Sequence, residues 1–362
     1  VRTSRVPITV VLALTAVSLL GCGNDSGDDG AADTATAPAV DTVERPIEIS
    51  ETIPIGRQPR DVVVTSTHVW VASEGGTLER VDPETNEVDQ SVHVEGIEHL
   101  ATSEDEMWAT TGGEDGTLVQ LDPESGDLIQ TIDLEGYLSG VTIGEGAVWT
   151  VRHETESLGD GGGFSVDAES ELLRIDPATS TAESRGSVGG SSYGLTTTDG
   201  TIWVANGDGT VARHVIDEES TSYVDVGDSH DLIAGGSDGV WATNDTDSRA
   251  GEVTRIDPSS GEVVEVISIP ADFDMSLSSI YVDGSSVWVA NIGDDKMIRI
   301  GPDSNEITAE VSYPDVGEGA AIGFGALWVS SDDESTAEGH GTLVRIEPPD
   351  GLAGVPPLPG NG

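Results

Sequence analysis

One cysteine, three methionines, three phenylalanines and a single lysine, Lys296, are all that 362 residues contain of those types. The lone cysteine excludes an intramolecular disulfide and any cysteine-based zinc site. Basic charge is scarce as well: 15 Lys and Arg stand against 67 Asp and Glu, for a net charge of −52. Such an excess of carboxylates repels nucleic acid and anionic lipid alike, which removes both as partners. Apolar runs are short, and the longest, Ile8 to Leu20, is too short for a comfortable membrane span. No Gly-x-Ser-x-Gly elbow, phosphate loop or EF-hand occurs, and Asp115-Gly116 and Asp208-Gly209 are ordinary loop dipeptides. An acidic, lysine-poor surface suits molar salt, where dense counterions screen self-repulsion. A GC-rich genome replaces Lys by Arg but does not supply 67 carboxylates, so a halophilic, salt-exposed habitat is expected.

The N-terminus reads as a targeting segment. Arg2 and Arg5 make a basic start, the apolar run follows, and Leu19-Leu20-Gly21-Cys22 closes it with small residues. Those four residues look like a bacterial lipobox, in which cleavage before Cys22 leaves a thiol that receives diacylglycerol. Val1 in place of Met reads as a translated GTG start, which makes the chain a precursor. Residues 1–21 are thus a signal peptide, and the acidic Gly/Ala/Thr-rich stretch 22–46 is a disordered tether. The expected location is the extracytoplasmic face of the cell membrane, held there by the lipid anchor alone. Residues 349–362 form a Pro/Gly-rich tail.

Between them the chain repeats itself. Seven tryptophans stand in seven similar segments: VWVA at Trp70, MWAT at Trp108, VWTV at Trp149, IWVA at Trp203, VWAT at Trp241, VWVA at Trp288 and LWVS at Trp328. A period near 40 residues, with units too thin to fold alone, predicts an all-β, seven-bladed propeller of four-stranded blades over residues 47–348. The first unit divides into strands Asp61 to Thr65, Val69 to Ala72, Thr77 to Asp82 and Glu87 to Val94. Each tryptophan has a small residue two positions on, as wedge packing between sheets requires, so the tryptophans belong to the core. Turns such as DPETNE from Asp82 and DPSSGE from Asp257 place proline first and then Asn or Gly where a left-handed residue is needed. Their aspartates cap their own turns. The seventh repeat ends after its third strand, and its missing fourth matches IEISETIPIG from Ile47, so the N-terminal strand completes the last blade and closes the ring.

Ile55-Gly56…Pro59, the VWVA strand, GTLERVDPETNEV from Gly76 and their later copies resemble the YncE-like family of seven-bladed propellers with YVTN-type repeats. WVAN at Trp203 and Trp288 comes nearest to the family's YVTN strand. The resemblance implies a binding scaffold, and it implies nothing specific about chemistry.

Loop lengths select one face. Turns between the first and second strands are uniformly short, and so are those between the third and fourth. Extensions fall in the loops that open on the other rim: Arg152 to Glu171, Asn244 to Glu252, Ser331 to Gly341 and Pro270 to Ser279. That rim is the expected binding face. Alignment on tryptophan brings Arg60, Glu98, Ser139, Tyr193, Asp231, Ser278 and Glu318 to it from ten residues upstream. Asn206, Asn244 and Asn291 come from three residues downstream. The ligand-binding candidates are Arg60, His99, Arg152, Tyr193, Asn206, His230, Asp231, Asn244 and Asn291. Convergence of Arg60 and Arg152 would orient a carboxylate or phosphate. The expected partner is a protein, peptide or small ligand bound by a monomer, with no cofactor.

A catalytic alternative, a lyase or lactone hydrolase, would place a divalent cation in the same mouth. Virginiamycin B lyase, also a seven-bladed propeller, pairs a rim histidine with a Glu-x-His element in the next blade. His230 takes the first position, but Glu338-Gly339-His340 lies two blades away, so the pattern is broken. Gluconolactonase-type propellers hold a metal with acidic and amide groups, and Glu98, Asp231, Glu318 and the three asparagines are of those types. His99, His153, His230 and His340 map to the rim without an HxH or HxxxH spacing.

Overall fold

The computed structural model describes residues 48–157, 164–227, 232–247, 250–270, 276–283, 286–313, 315–332 and 340–347. The expected signal peptide, tether and tail lie outside them, as do His230, Asp231 and Glu338-Gly339. Every sheet is four-stranded and antiparallel, there are seven, and no helix occurs among the described residues. Blade 1 consists of Pro59–Val64, Val69–Ser73, Thr77–Asp82 and Glu87–His93, within two residues of the expected strands. The remaining blades follow in chain order, each with its first strand innermost. Blade 7 is the exception in origin: Val316–Gly323, Ala326–Ser331 and Thr342–Glu347 are joined by Glu48–Pro54 as outer strand. Its register runs from Glu48 opposite Glu347 to Pro54 opposite Thr342, so the ring closes as the sequence requires.

The core lies between blades. All seven tryptophans are fully buried. At the seam, Ile53, Val62, Val69 and Val71 pack against Ala321, Trp328 and Leu343. One joint later, Trp70, Ala72 and Leu78 meet Leu100, Met107 and Ala109. Inner strands crowd the axis, and Gly319 shows how tightly: a Cβ there would lie 2.9 Å from the Cα of Asp61 in the neighbouring blade. Only a bare backbone fits that gap.

A second layer of joints uses polar groups. Opposite most tryptophans, on the third strand, stands an arginine whose guanidinium covers the indole: Arg213 over Trp203, Arg255 over Trp241, Arg299 over Trp288 and Arg345 over Trp328, at 5.1 to 5.9 Å from the ring centre. Arg213, Arg255 and Arg345 reach the turn of the next blade, whereas Arg299 donates to Ser286 Oγ in its own blade. Arg255 donates to Pro302 O at 2.6 Å and Asn305 Oδ1 at 2.8 Å, and Arg345 to Pro83 O and Asn86 Oδ1. In the turns that open on aspartate, that side chain accepts from the amides that follow it. Asp82 Oδ1 takes Glu84 N at 2.7 Å, and Asp257 Oδ1 takes Ser259 N at 2.8 Å and Ser260 N at 2.9 Å. Asn86, Gly126, Gly261 and Asn305 have positive φ, as expected for these turns.

Candidate functional site

Strand pairing fixes which ends share a face. Pro59 pairs with Ser73, and Thr77 with both Ser73 and His93, so the loops between fourth and first strands open beside those between second and third. Two of the extensions on this face are not loops. Ala147–Ser157 and Phe164–Asp176 continue pairing out to Ser157 opposite Phe164, and Gly239–Asp247 and Ala250–Ile256 out to Asp247 opposite Ala250. Their Gly- and acid-rich composition argues against strand, and hairpin pairing overrides that local preference. Pro270 to Ser279 and Ser331 to Gly341 fall partly outside the described residues.

The upstream alignment position turns out to be a structural device. In blades 1, 2, 4 and 6 the innermost strand shifts register there, between Pro59 and Asp61, Ile97 and His99, Ser192 and Gly194, and Leu277 and Ser279. Arg60, Glu98, Tyr193 and Ser278 are the extra residues, turned out of the pleat by a β-bulge, a common way to aim side chains at a site.

Arg60, Glu98, His99, Tyr137 and Tyr193 form one electrostatic group. Glu98 is pushed up by burial, against the pull of Arg60 and a hydrogen bond from Tyr137. Tyr137 is pushed up to about 12 by burial and by Glu98, with Tyr193 adding to the effect. His99 falls to about 4, first through burial and then through the nearby Arg60 cation, so it is neutral at pH 7. Tyr193 leaves half its surface in solvent. Beside this group a cleft of about 310 Å³ opens between blades 1 and 2, with Arg60, Glu74, His93, Glu95 and Glu98 among its walls.

Arg152 is not part of the group. Its guanidinium is tied to Glu171 and donates to Leu134 O at 3.1 Å, so the two arginines do not converge. Asn206 is buried and committed: it accepts from Ser192 Oγ at 2.6 Å and donates to Val188 O at 2.9 Å and Thr210 Oγ1 at 3.1 Å. Asn291 accepts from Ser276 N and Gly293 N, and its Nδ2 has no partner among the described residues. Asn244 is buried with neither amide atom bonded to a described residue. His153 sits inside, bonded to Ser139 Oγ at 2.9 Å and Ser192 O at 3.0 Å, and His340 is exposed. Among the described residues no three of His, Cys, Asp and Glu converge as metal ligands.

Two residues carry roles that tryptophan alignment does not reveal. Tyr137 enters from the loop-proximal end of blade 3, twelve positions before Trp149. Asp61 joins blades: Oδ1 accepts from Val62 N at 2.8 Å and Oδ2 from Leu100 N of blade 2 at 2.7 Å. Burial nevertheless raises it to about 7.

Solved structures agree on the architecture. The WD40 repeats of RRP9 match with a TM-score of 0.67 and 12% identity, covering 83% of this chain and 100% of that one. U3-55K matches with 0.65 and 11%, over 83% and 100%. The Cps50 (Swd1) β-propeller domain of Myceliophteria thermophila gives 0.62 and 11%, over 83% and 99%. No protein-family model and no curated protein matches the sequence. The chain is a seven-bladed β-propeller. At these identities the likeness speaks for the fold alone.

Proposed function

We propose that this propeller is a lipid-anchored, extracytoplasmic binding scaffold of the YncE-like, YVTN-type kind, and that it takes its ligand or protein partner at the face bearing the strand extensions. One observation carries the choice of face: four innermost strands break register at the same level and turn Arg60, Glu98, Tyr193 and Ser278 outward there. On the opposite face the described turns are short, and Asp82, Asp122, Asp176 and Asp257 there already accept from their own backbone amides. Polar side chains turned outward on a rigid scaffold are what recognition requires.

The test is site-specific photocross-linking in the native host. A benzophenone amino acid replaces Tyr193 on the proposed face, or Phe324, which is exposed in the short turn between the first two strands of blade 7. Cross-linked species from position 193 and none from position 324 support the reading. Products from position 324 alone, or equal products from both, reject it.

A further inference from the structure

The cleft between blades 1 and 2 mixes signs of charge in a way that restricts its occupant. Around about 310 Å³ stand one arginine, Arg60, three carboxylates, Glu74, Glu95 and Glu98, and His93. That volume lies at the small end of small-molecule sites. A simple anion entering it meets three carboxylates, and a simple cation meets the guanidinium. Each leaves one sign of the wall opposed or unanswered, which costs affinity. A molecule with both charges answers both.

Arg60 is free to take part. Its nearest carboxylate, Glu74, is 3.8 Å away, beyond hydrogen-bond length, and both side chains are about half exposed. Arg80, Arg152, Arg213, Arg255, Arg299 and Arg345 all donate hydrogen bonds within the ring. Arg60 donates none among the described residues, so its planar fork remains available for a carboxylate. Glu98, which also lines the cleft, accepts a hydrogen bond from Tyr137. The backbone makes room for both walls. A Cβ on Gly76 would lie 2.7 Å from Val94 O and 2.8 Å from the His93 ring, and one on Gly112 would overlap the Glu98 carboxylate.

We infer that this cleft binds a small zwitterion of the α-amino acid class, with its carboxylate on Arg60 and its ammonium among Glu74, Glu95 and Glu98. The inference rests on the reading that this face binds ligand. Titration calorimetry on the purified protein uses L-alanine and L-glutamine as probes, each beside its amide, which keeps only the cation, and its N-acetyl derivative, which keeps only the anion. A free amino acid should bind at least tenfold more tightly than either derivative. Arg60→Gln and Glu98→Gln should each weaken it at least tenfold, with Glu74→Gln as substitute if the second variant does not fold. Equal binding of an amide and its parent, or affinity unchanged in Arg60→Gln, overturns the inference. So does absence of binding by both amino acids, and cross-linking from position 193 then shows separately whether the wider reading stands.

Discussion

Arg345 Nη1 donates to the carbonyl oxygen of Pro83 at 2.8 Å, although 262 residues separate the two along the chain. The same guanidinium covers Trp328 at 5.1 Å and reaches Asn86 Oδ1 at 3.0 Å. Arg213 and Arg255 make the same joint with the blades that follow theirs, and it recurs across the seam where the ring closes. Blade 7 therefore holds blade 1 by side chains as well as by its borrowed strand.

Removing the latch should cost more than removing an exposed arginine. Hydrogen bonds from a charged donor contribute about 1.5–3 kcal/mol, and a partly buried cation over an indole about 1 kcal/mol. Arg345→Ala should lower unfolding free energy in urea by about 3 kcal/mol, and Arg60→Ala by less than about 0.5 kcal/mol. Equal losses would show that the seam latch contributes nothing special.

Deleting Glu48–Pro54 tests the seam itself. The deletion uncovers the whole edge of Thr342–Glu347 and removes Ile53 from the core between blades 7 and 1. Thermal unfolding should move down steeply and lose cooperativity. A melting temperature within a few degrees of the parent would mean that closure adds little to the stability of the ring.

His99 reports on the mouth. Its value of about 4 lies below the ordinary range of about 6.5, so the neutral ring is favoured in the folded state. It accordingly contributes stability that is fully present above about pH 6.5 and is lost as pH falls through about 4. NMR titration should find this imidazole neutral at pH 6, and Arg60→Gln should raise its midpoint by removing a cation. An unchanged midpoint in that variant would separate Arg60 from His99.

Salt should stabilise the protein. At a net charge of −52, self-repulsion is felt over about 30 Å at 0.01 M salt but only about 3 Å at 1 M. The melting temperature should climb with sodium chloride across that range. A flat profile would assign the acidic composition to something other than a saline habitat.

The proposed anchoring hangs on one atom, the Cys22 thiol. In Cys22→Ser, membrane fractions should lose the protein, and mass spectrometry of the N-terminus should find no lipid. Retention in the membrane, unchanged from the parent, would refute the anchor.

The ring, its strands and its closure were legible because periodicity is a long-range signal that survives local noise. Seven tryptophans set the frame, and the strand missing after Thr342–Glu347 had one match at the other end. The arginine latch was readable in principle as Arg-[Val/Ile]-x-Pro in RVDP, RIDP, RIGP and RIEP, but its partner is a backbone carbonyl that no residue type announces. Site residues were harder. Alignment on tryptophan located Arg60, Glu98 and Tyr193, since bulges at a fixed distance repeat with the blades. It also suggested Asn206, whose side chain the fold buries and bonds to Val188 O of the neighbouring blade. Tyr137 lay outside the aligned position, and Arg152 faces Glu171 across a hairpin that its composition disguised as a loop.

The pairing of Glu48–Pro54 with Thr342–Glu347 also sets an order of events. The first strand of the ring to leave the ribosome is completed by the last, so no partial chain can shut the circle. Until residue 347 has emerged, a string of blades presents two raw edges, and the final step is a long-distance closure of the kind that slows folding. Chains cut short anywhere within the last blade should therefore remain protease-sensitive along their whole length, however many finished blades they contain.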